Sequence, residues 1–118
     1  MHASPEIDIV LAQFDAYNDR DIEAVLRYYS RTAVVRDAGG GTFRDEGHDA
    51  IRVAFGEVFD ASPELHADAR DVFQVGRWVT THSVATGFRS SGDKGKREWV
   101  EVYGVEDGLI TTLDIYAA

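Results

Sequence analysis

Apolar residues recur at helical spacing as far as Phe59 and then change to strand-like alternation, so the chain divides into an early helical part and a late sheet. Ser4-Pro5-Glu6 predicts a helix start, with Ser4 as N-cap, proline at the first helical position and acids where the dipole favours them. Ile7, Val10, Leu11, Phe14 and Asn18 follow on one stripe. A second helix is expected from about Asp21, with Ile22, Val25, Leu26 and Tyr29 sharing a face and its end near Ser30. The β-branched run Thr32 to Val35 then starts a strand that ends on the carboxylate of Asp37. Gly39-Gly40-Gly41 marks a loop beyond it, and His48 to Phe59 restores helical spacing through Ile51, Ala54, Phe55 and Val58.

Pro63 ends the helical region. Strands are expected at about Glu64 to Val75, Trp78 to Phe88, Arg97 to Glu106 and Leu109 to Tyr116. Gly76-Arg77, the Ser90 to Gly95 cluster and Asp107-Gly108 supply the turns between them. Three early helices and four late hairpin-linked strands describe an α+β domain, its mostly antiparallel sheet curved strongly around the helices. The first strand must join that sheet.

Composition narrows the function. A chain of 118 residues, 44% hydrophobic and 28% charged, is read as one domain over residues 1–118 with a real core, not as a disordered chain. The net charge of −9, from 21 acidic residues against 12 Lys and Arg, disfavours nucleic acid and anionic lipid as partners. With no run of 18 apolar residues and no signal-peptide layout, a cytoplasmic location is expected. Without cysteine there is no disulfide, thiolate nucleophile or thiolate metal site. The four histidines, His2, His48, His66 and His82, show no i, i+4 pair, so no metal is expected. Neither a phosphate-cradling glycine motif nor a Gly-x-Ser-x-Gly motif occurs, which leaves proton transfer without a cofactor as the expected chemistry. A carboxylate at a strand end beside an apolar hollow suits that chemistry.

Several local phrases carry a resemblance: Ala16-Tyr17-Asn18 with Asp21-Ile22, Ala33-Val34-Val35-Arg36-Asp37, Gly47-His48-Asp49-Ala50-Ile51-Arg52, and Tyr103-Gly104-Val105-Glu106-Asp107-Gly108-Leu109-Ile110. The chain resembles the nuclear transport factor 2-like (cystatin-like) superfamily, in its SnoaL-like and ketosteroid isomerase-like branch. That resemblance implies a cone-shaped domain with an apolar pocket between helices and sheet, paired as a homodimer through the sheet. Fold alone does not fix the reaction, because the superfamily contains isomerases, cyclases, dehydratases, epoxide hydrolases and inert binding modules.

By the same resemblance, Asp37 matches the aspartate that shuttles a proton between carbons, although Ala38 follows it where proline is usual. Burial would raise its pKa and improve it as a general base, whereas the alternative is an exposed aspartate at the loop edge. Glu101 falls where the family places the protonated acid of its oxyanion hole, and period-two alternation puts Trp99 and Tyr103 on its face. Gln13 stands where the family has a tyrosine donor, and Tyr17 one turn later offers a hydroxyl. Asp114 corresponds to an essential last-strand aspartate of cyclases and epoxide hydrolases, with Glu101 as its partner, provided that it faces the pocket. His82 aligns with a cavity position. Phe55 and Tyr29 are candidates for substrate contact as well as for the core.

The function expected is a small acid/base enzyme, an isomerase, cyclase or dehydratase, acting on a hydrophobic carbonyl compound such as a polyketide, terpenoid or steroid-like molecule. Its candidate catalytic residues are Asp37, Glu101, Asp114 and His82. The alternative is a non-catalytic module that holds an apolar ligand or partner peptide. An epoxide hydrolase would need an arginine between the carboxylates, whereas Arg97 lies at the start of its strand.

Overall fold

A computed structural model of the chain describes residues 4–88 and 95–118. The elements run α1 (Pro5–Asn18), α2 (Ile22–Leu26), β1 (Tyr29–Asp37), β2 (Arg44–Glu46), α3 (His48–Ala61), β3 (His66–Val75), β4 (Trp78–Thr86), β5 (Arg97–Glu106) and β6 (Leu109–Ala117). Three helices pack on one six-stranded sheet of order β2-β1-β6-β5-β4-β3. β1 joins it parallel to β6, and the other described pairings are antiparallel. The turn expected at Ser90 to Gly95 falls, apart from Gly95, outside the described residues.

The Ser4 side chain caps α1 by accepting from the Ile7 N–H at 3.0 Å, and Ile7, Val10, Gln13 and Phe14 are buried along its inner face. Leu11, on the same predicted stripe, is 37% exposed. Both ends of α1 are tied to β3. Ser4 donates to the Gln74 side chain, and the Asn18 amide brackets Ala67, donating to its carbonyl at 2.7 Å and accepting from its N–H at 2.8 Å. The Arg20 guanidinium donates to the carbonyls of Ser62 and Leu65, joining the end of α1 to the approach to β3.

Tyr29 opens β1 and does not extend the stripe of α2. Its backbone pairs with Ile110 of β6, so sheet pairing overrides the helical spacing. The three-residue β2 has too little alternation to be visible in sequence. The two-residue turn at Asp107-Gly108 has positive φ at both positions, 51° and 78°, the geometry that the Asp-Gly pair favours.

Irregular register between Ala69 and Asp71 and between Gly104 and Val105 breaks the regular ladder, and such bulges bend and twist strands. On one side of the sheet Ala33, Val35, Val79, Tyr103, Val105 and Leu113 meet the helices in one continuous core. No helix among the described residues is long and apolar enough to cross a membrane.

Because the Asn18 amide satisfies both backbone groups of Ala67, Asn18→Ala is expected to destabilise the domain by about 2 kcal/mol. Urea denaturation checks this, and an unchanged midpoint would show that the clamp contributes nothing.

Candidate functional site

A cavity of about 670 Å³ opens between α1, α3 and the inner face of the sheet. Pocket volumes of this order suit small-molecule ligands. Register builds its floor. Thr81 pairs with Glu101, Glu101 with Ile115, and Ile115 with Asp37, so these four residues form one row across β4, β5, β6 and β1. Alternation keeps Trp99, Glu101 and Tyr103 of β5 and Leu113, Ile115 and Ala117 of β6 on the cavity wall. Phe14, Tyr17, Phe55 and Val58 close it from the helices, Tyr17 standing edge-on to Phe55 and Phe59.

Glu101 is 6% exposed and sits over two buried hydroxyls of β4. Its Oε1 is 2.9 Å from Ser83 Oγ, 2.9 Å from Tyr103 OH and 3.3 Å from Thr81 Oγ1. The Trp99 side chain, whose only donor is its indole N–H, also hydrogen bonds to the carboxyl. Thr81 and Ser83 lie 2.8 Å apart, and one of their two protons must serve that contact. The shorter Ser83 contact to the carboxyl assigns Ser83 as donor to Glu101 and Thr81 as donor to Ser83.

A second chain arrives from α1. The Gln13 amide oxygen accepts from Tyr29 OH at 2.7 Å, and its side chain hydrogen bonds to the hydroxyl of Tyr103. Gln13 is therefore tied into the network behind Glu101. Burial pushes the Glu101 carboxyl above the usual carboxylate range, and the converging donors only partly oppose it. Burial and the nearby Glu101 charge likewise raise the phenols of Tyr17, Tyr29 and Tyr103.

Asp37 occupies the opposite end of the same row, at the mouth. Two strand spacings separate the Asp37 and Glu101 backbones, about 10 Å across Ile115. The Asp37 carboxylate caps the glycine loop, accepting from Thr42 Oγ1 at 2.6 Å, Thr42 N–H at 3.1 Å and Gly40 N–H at 2.9 Å. These donors, the Thr42 hydroxyl first, hold the carboxyl below the usual range, the opposite of the rise that burial would have caused. A loop that turns its N–H groups onto the strand-end carboxylate outweighs the slight burial.

His82 and Asp114 lie outside the cavity, which corrects the expectation that both face it. Inward positions on β4 are Val79, Thr81, Ser83 and Ala85, so His82 projects from the outer face, where Nε2 lies 2.6 Å from Glu98 and Nδ1 3.8 Å from Asp71. Leu113 and Ile115 face inward on β6, so Asp114 faces outward, pairs with Arg36 and cannot meet Glu101. One residue of strand parity decides both cases. Tyr29 is buried behind the wall and supports Gln13 without lining the cavity.

Gln13, Tyr17, Phe55, Trp99 and Tyr103 do line it. Sequence reasoning missed Thr81 and Ser83 beneath Glu101, and Phe43, Asp45, Glu57, Phe88 and Arg97 around the rim. The turn at Asp107-Gly108 fixes β5 against β6, but nothing local fixes β4 against β5, and that register puts Ser83 opposite Trp99. Among the described residues no group of three His, Asp or Glu could hold a metal ion.

A helix-covered, curved sheet with a small-molecule cavity on its inner face defines the nuclear transport factor 2-like, cystatin-like class. The SnoaL-like domain model matches residues 10–113, and the chain belongs to that family. Among solved structures, a candidate polyketide cyclase from Sinorhizobium meliloti is 25% identical with a TM-score of 0.81, over 92% of this chain and 93% of that one. TerC, co-crystallised with polyporic acid, is 20% identical with a TM-score of 0.84, over 98% and 92%. A Catenulispora acidiphila protein of ketosteroid isomerase-like fold, in complex with trimethylamine, is 16% identical with a TM-score of 0.82, over 94% and 85%. The latter two are similar in fold alone. No match is found among curated proteins.

The raised pKa of Glu101 has a definite sign for stability. Its neutral form is favoured by folding, so its contribution is present below the unfolded pKa of about 4.3 and is lost as pH rises through the folded value. Glu101→Gln cannot ionise, and the stability of the native chain relative to this variant should fall between pH 4 and pH 8. Thermal denaturation of both across that range is the check, and a constant difference would show that Glu101 is not desolvated.

Proposed function

We propose that this chain is an acid/base enzyme for a hydrophobic carbonyl compound, with Glu101 as the hydrogen-bond donor and Asp37 as the base. One observation carries the reading: two carboxyls flank Ile115 on a single apolar wall, and their surroundings push their pKa values in opposite directions. Burial favours the protonated form of Glu101, and the loop donors favour the ionised form of Asp37.

The acceptor capacity of Oε1 is taken by Ser83 and Tyr103, which leaves the other oxygen of Glu101 to carry its proton towards a ligand. A carbonyl oxygen meeting that proton is polarised, and the acidity of its neighbouring C–H rises. Asp37 removes that hydrogen as a proton, the electron pair moves onto the carbonyl oxygen, and the Glu101 hydrogen bond stabilises the enolate. Return of the proton to a different carbon isomerises the compound, and attack of the enolate carbon on a second carbonyl closes a ring. Tyr17, Phe55, Trp99 and Tyr103 hold the apolar body, and His82 and Asp114, on the outer face, take no part. The small molecules bound in TerC and in the Catenulispora protein support reading the cavity as a small-molecule site.

A second reading rests on Asp37. Both of its oxygens accept loop donors and its pKa is lowered, which makes it a weak base and favours a module that binds a ligand without turning it over. Hydrogen–deuterium exchange separates the two. With 2-tetralone in heavy water, followed by proton NMR, the enzyme reading expects accelerated loss of the hydrogens next to the carbonyl. Asp37→Asn, and Glu101→Leu, which removes the donor, should each reduce that rate roughly 100- to 10,000-fold. Binding with no acceleration would favour the module.

The partner on the outer face of the sheet is read as a second copy of the chain. Phe73, Val75, Trp78, Val100 and Tyr116 are exposed there together, beside the Arg36–Asp114 and His82–Glu98 pairs. Such a mixed apolar and charged patch suits a self-complementary contact. Sedimentation velocity should report a dimer that Val100→Glu converts to monomer, and a monomeric native chain would refute the assembly.

A further inference from the structure

The charged groups around the cavity are divided between its two sides. Asp37, Asp45 and Glu57 come from β1, β2 and α3, and among the described residues no cation accompanies them on the cavity wall there. Arg97 is the cavity-lining cation among the described residues, and it comes from β5 on the other side. The alternation that turns Trp99 and Glu101 inward turns Arg97 inward too, opposite Ala85.

Of the strand arginines, Arg36 and Arg44 have a carboxylate partner, Asp114 and Glu46, whereas Arg31, Arg70 and Arg97 form no ion pair with the described residues, and of these three Arg97 is the one that lines the cavity. Arg97 forms no ion pair or hydrogen bond with the described residues and lies over the Phe88 ring, 5.1 Å from its centroid. In a chain with 21 acidic residues against 12 Lys and Arg, a guanidinium lining a cavity with no carboxylate partner among the described residues is an available anion receptor. The aromatic face holds its plane, and the apolar wall weakens solvent screening on one side.

Geometry also sets the length of the ligand. Arg97, exposed at the rim, and Glu101, buried on the wall, are four residues apart on one face of β5, roughly 13 Å between Cα atoms, and both line the cavity. Trp99 lies between them, its ring edge-on to Phe88 with centroids 6.1 Å apart. A flat molecule lying along Trp99 can meet both ends at once.

We propose that Arg97 is a specificity-determining residue that binds an anionic group, of carboxylate type, on a flat hydrophobic ligand whose carbonyl reaches Glu101. The inference rests on the carbonyl role given to Glu101 above and names the substrate class: an aryl or polycyclic ketone with a negative charge at its far end. The acidic groups at the opposite mouth repel that charge, so only one orientation of the ligand satisfies both anchors.

The test is calorimetric titration with 4-benzoylbenzoate, its methyl ester and 4-(aminomethyl)benzophenone, three molecules that share one diaryl ketone. The native protein should bind the carboxylate about tenfold more tightly than the ester and the amine most weakly, with the preference shrinking as salt is added. Arg97→Gln should bring the carboxylate down to the ester while leaving the ester unchanged, and Arg97→Lys should keep part of the preference. Glu101→Leu, which removes the donor to the carbonyl, should weaken carboxylate and ester alike. Equal affinity of the carboxylate and ester, or a preference that survives Arg97→Gln in a variant of native melting temperature, would overturn the role of Arg97. Ester binding that still depends on Glu101 would, in that event, leave the carbonyl reading standing. Failure of all three compounds to bind would overturn both.

Discussion

Burial of one carboxyl group organises this domain. Removing an ionisable group from water costs several kcal/mol unless it is neutral or fully hydrogen bonded, and Glu101 is met on both terms. Its oxygen receives hydroxyls from β4 and β5, its environment favours the protonated form, and a glutamine on α1 is tied in through Tyr103. Three elements distant in sequence are thus fixed against each other at the cavity wall. Register makes this possible, because only when Thr81 lies opposite Glu101 and Ser83 opposite Trp99 do the two hydroxyls come to lie beneath the carboxyl.

The apolar parts of the fold serve the same geometry. α1 is clamped at both ends to β3, which holds Gln13 and Tyr17 over the sheet, while α3 supplies Phe55 and Val58 to the opposite wall. Bulges in β3 and β5 bend the sheet away from a flat packing, and the space left between sheet and helices is the cavity. Its mouth is shaped by the glycine loop. Asp37 folds that loop onto itself, and a Cβ on Gly40 would lie 2.6 Å from the Asp37 carboxylate, so the carboxylate and the small residue are needed together.

Electrostatics differ from place to place on the same sheet. Asp114, Glu98 and His82 meet partners on the outer face, where water screens them and each pair contributes little. On the inner face the low-dielectric wall sharpens every charge. Burial raises the Glu101 carboxyl and the loop donors lower that of Asp37, while Arg97 forms no ion pair with the described residues. A protein that is strongly acidic overall therefore presents a cavity of mixed polarity, with Arg97 on the β5 side.

The amino-acid sequence by itself determined the order of the three helices and of every strand but β2, the α+β class, the two-residue turns and the family. Capping by Ser4, the alternation around Glu101 and the Asp-Gly turn are local signals, and local signals survive without tertiary context. It also put Trp99, Glu101 and Tyr103 on one face, since period two needs only the strand itself. Which face is the cavity had to come from pairing. His82 and Asp114 were misplaced because an alternating strand reads equally well in either sense until its neighbours are known. The lowered pKa of Asp37 depends on how a glycine loop closes, and the hydroxyl floor under Glu101 depends on register between strands joined by a long connection. Those are contacts between residues far apart in sequence, and only the tertiary structure decides them.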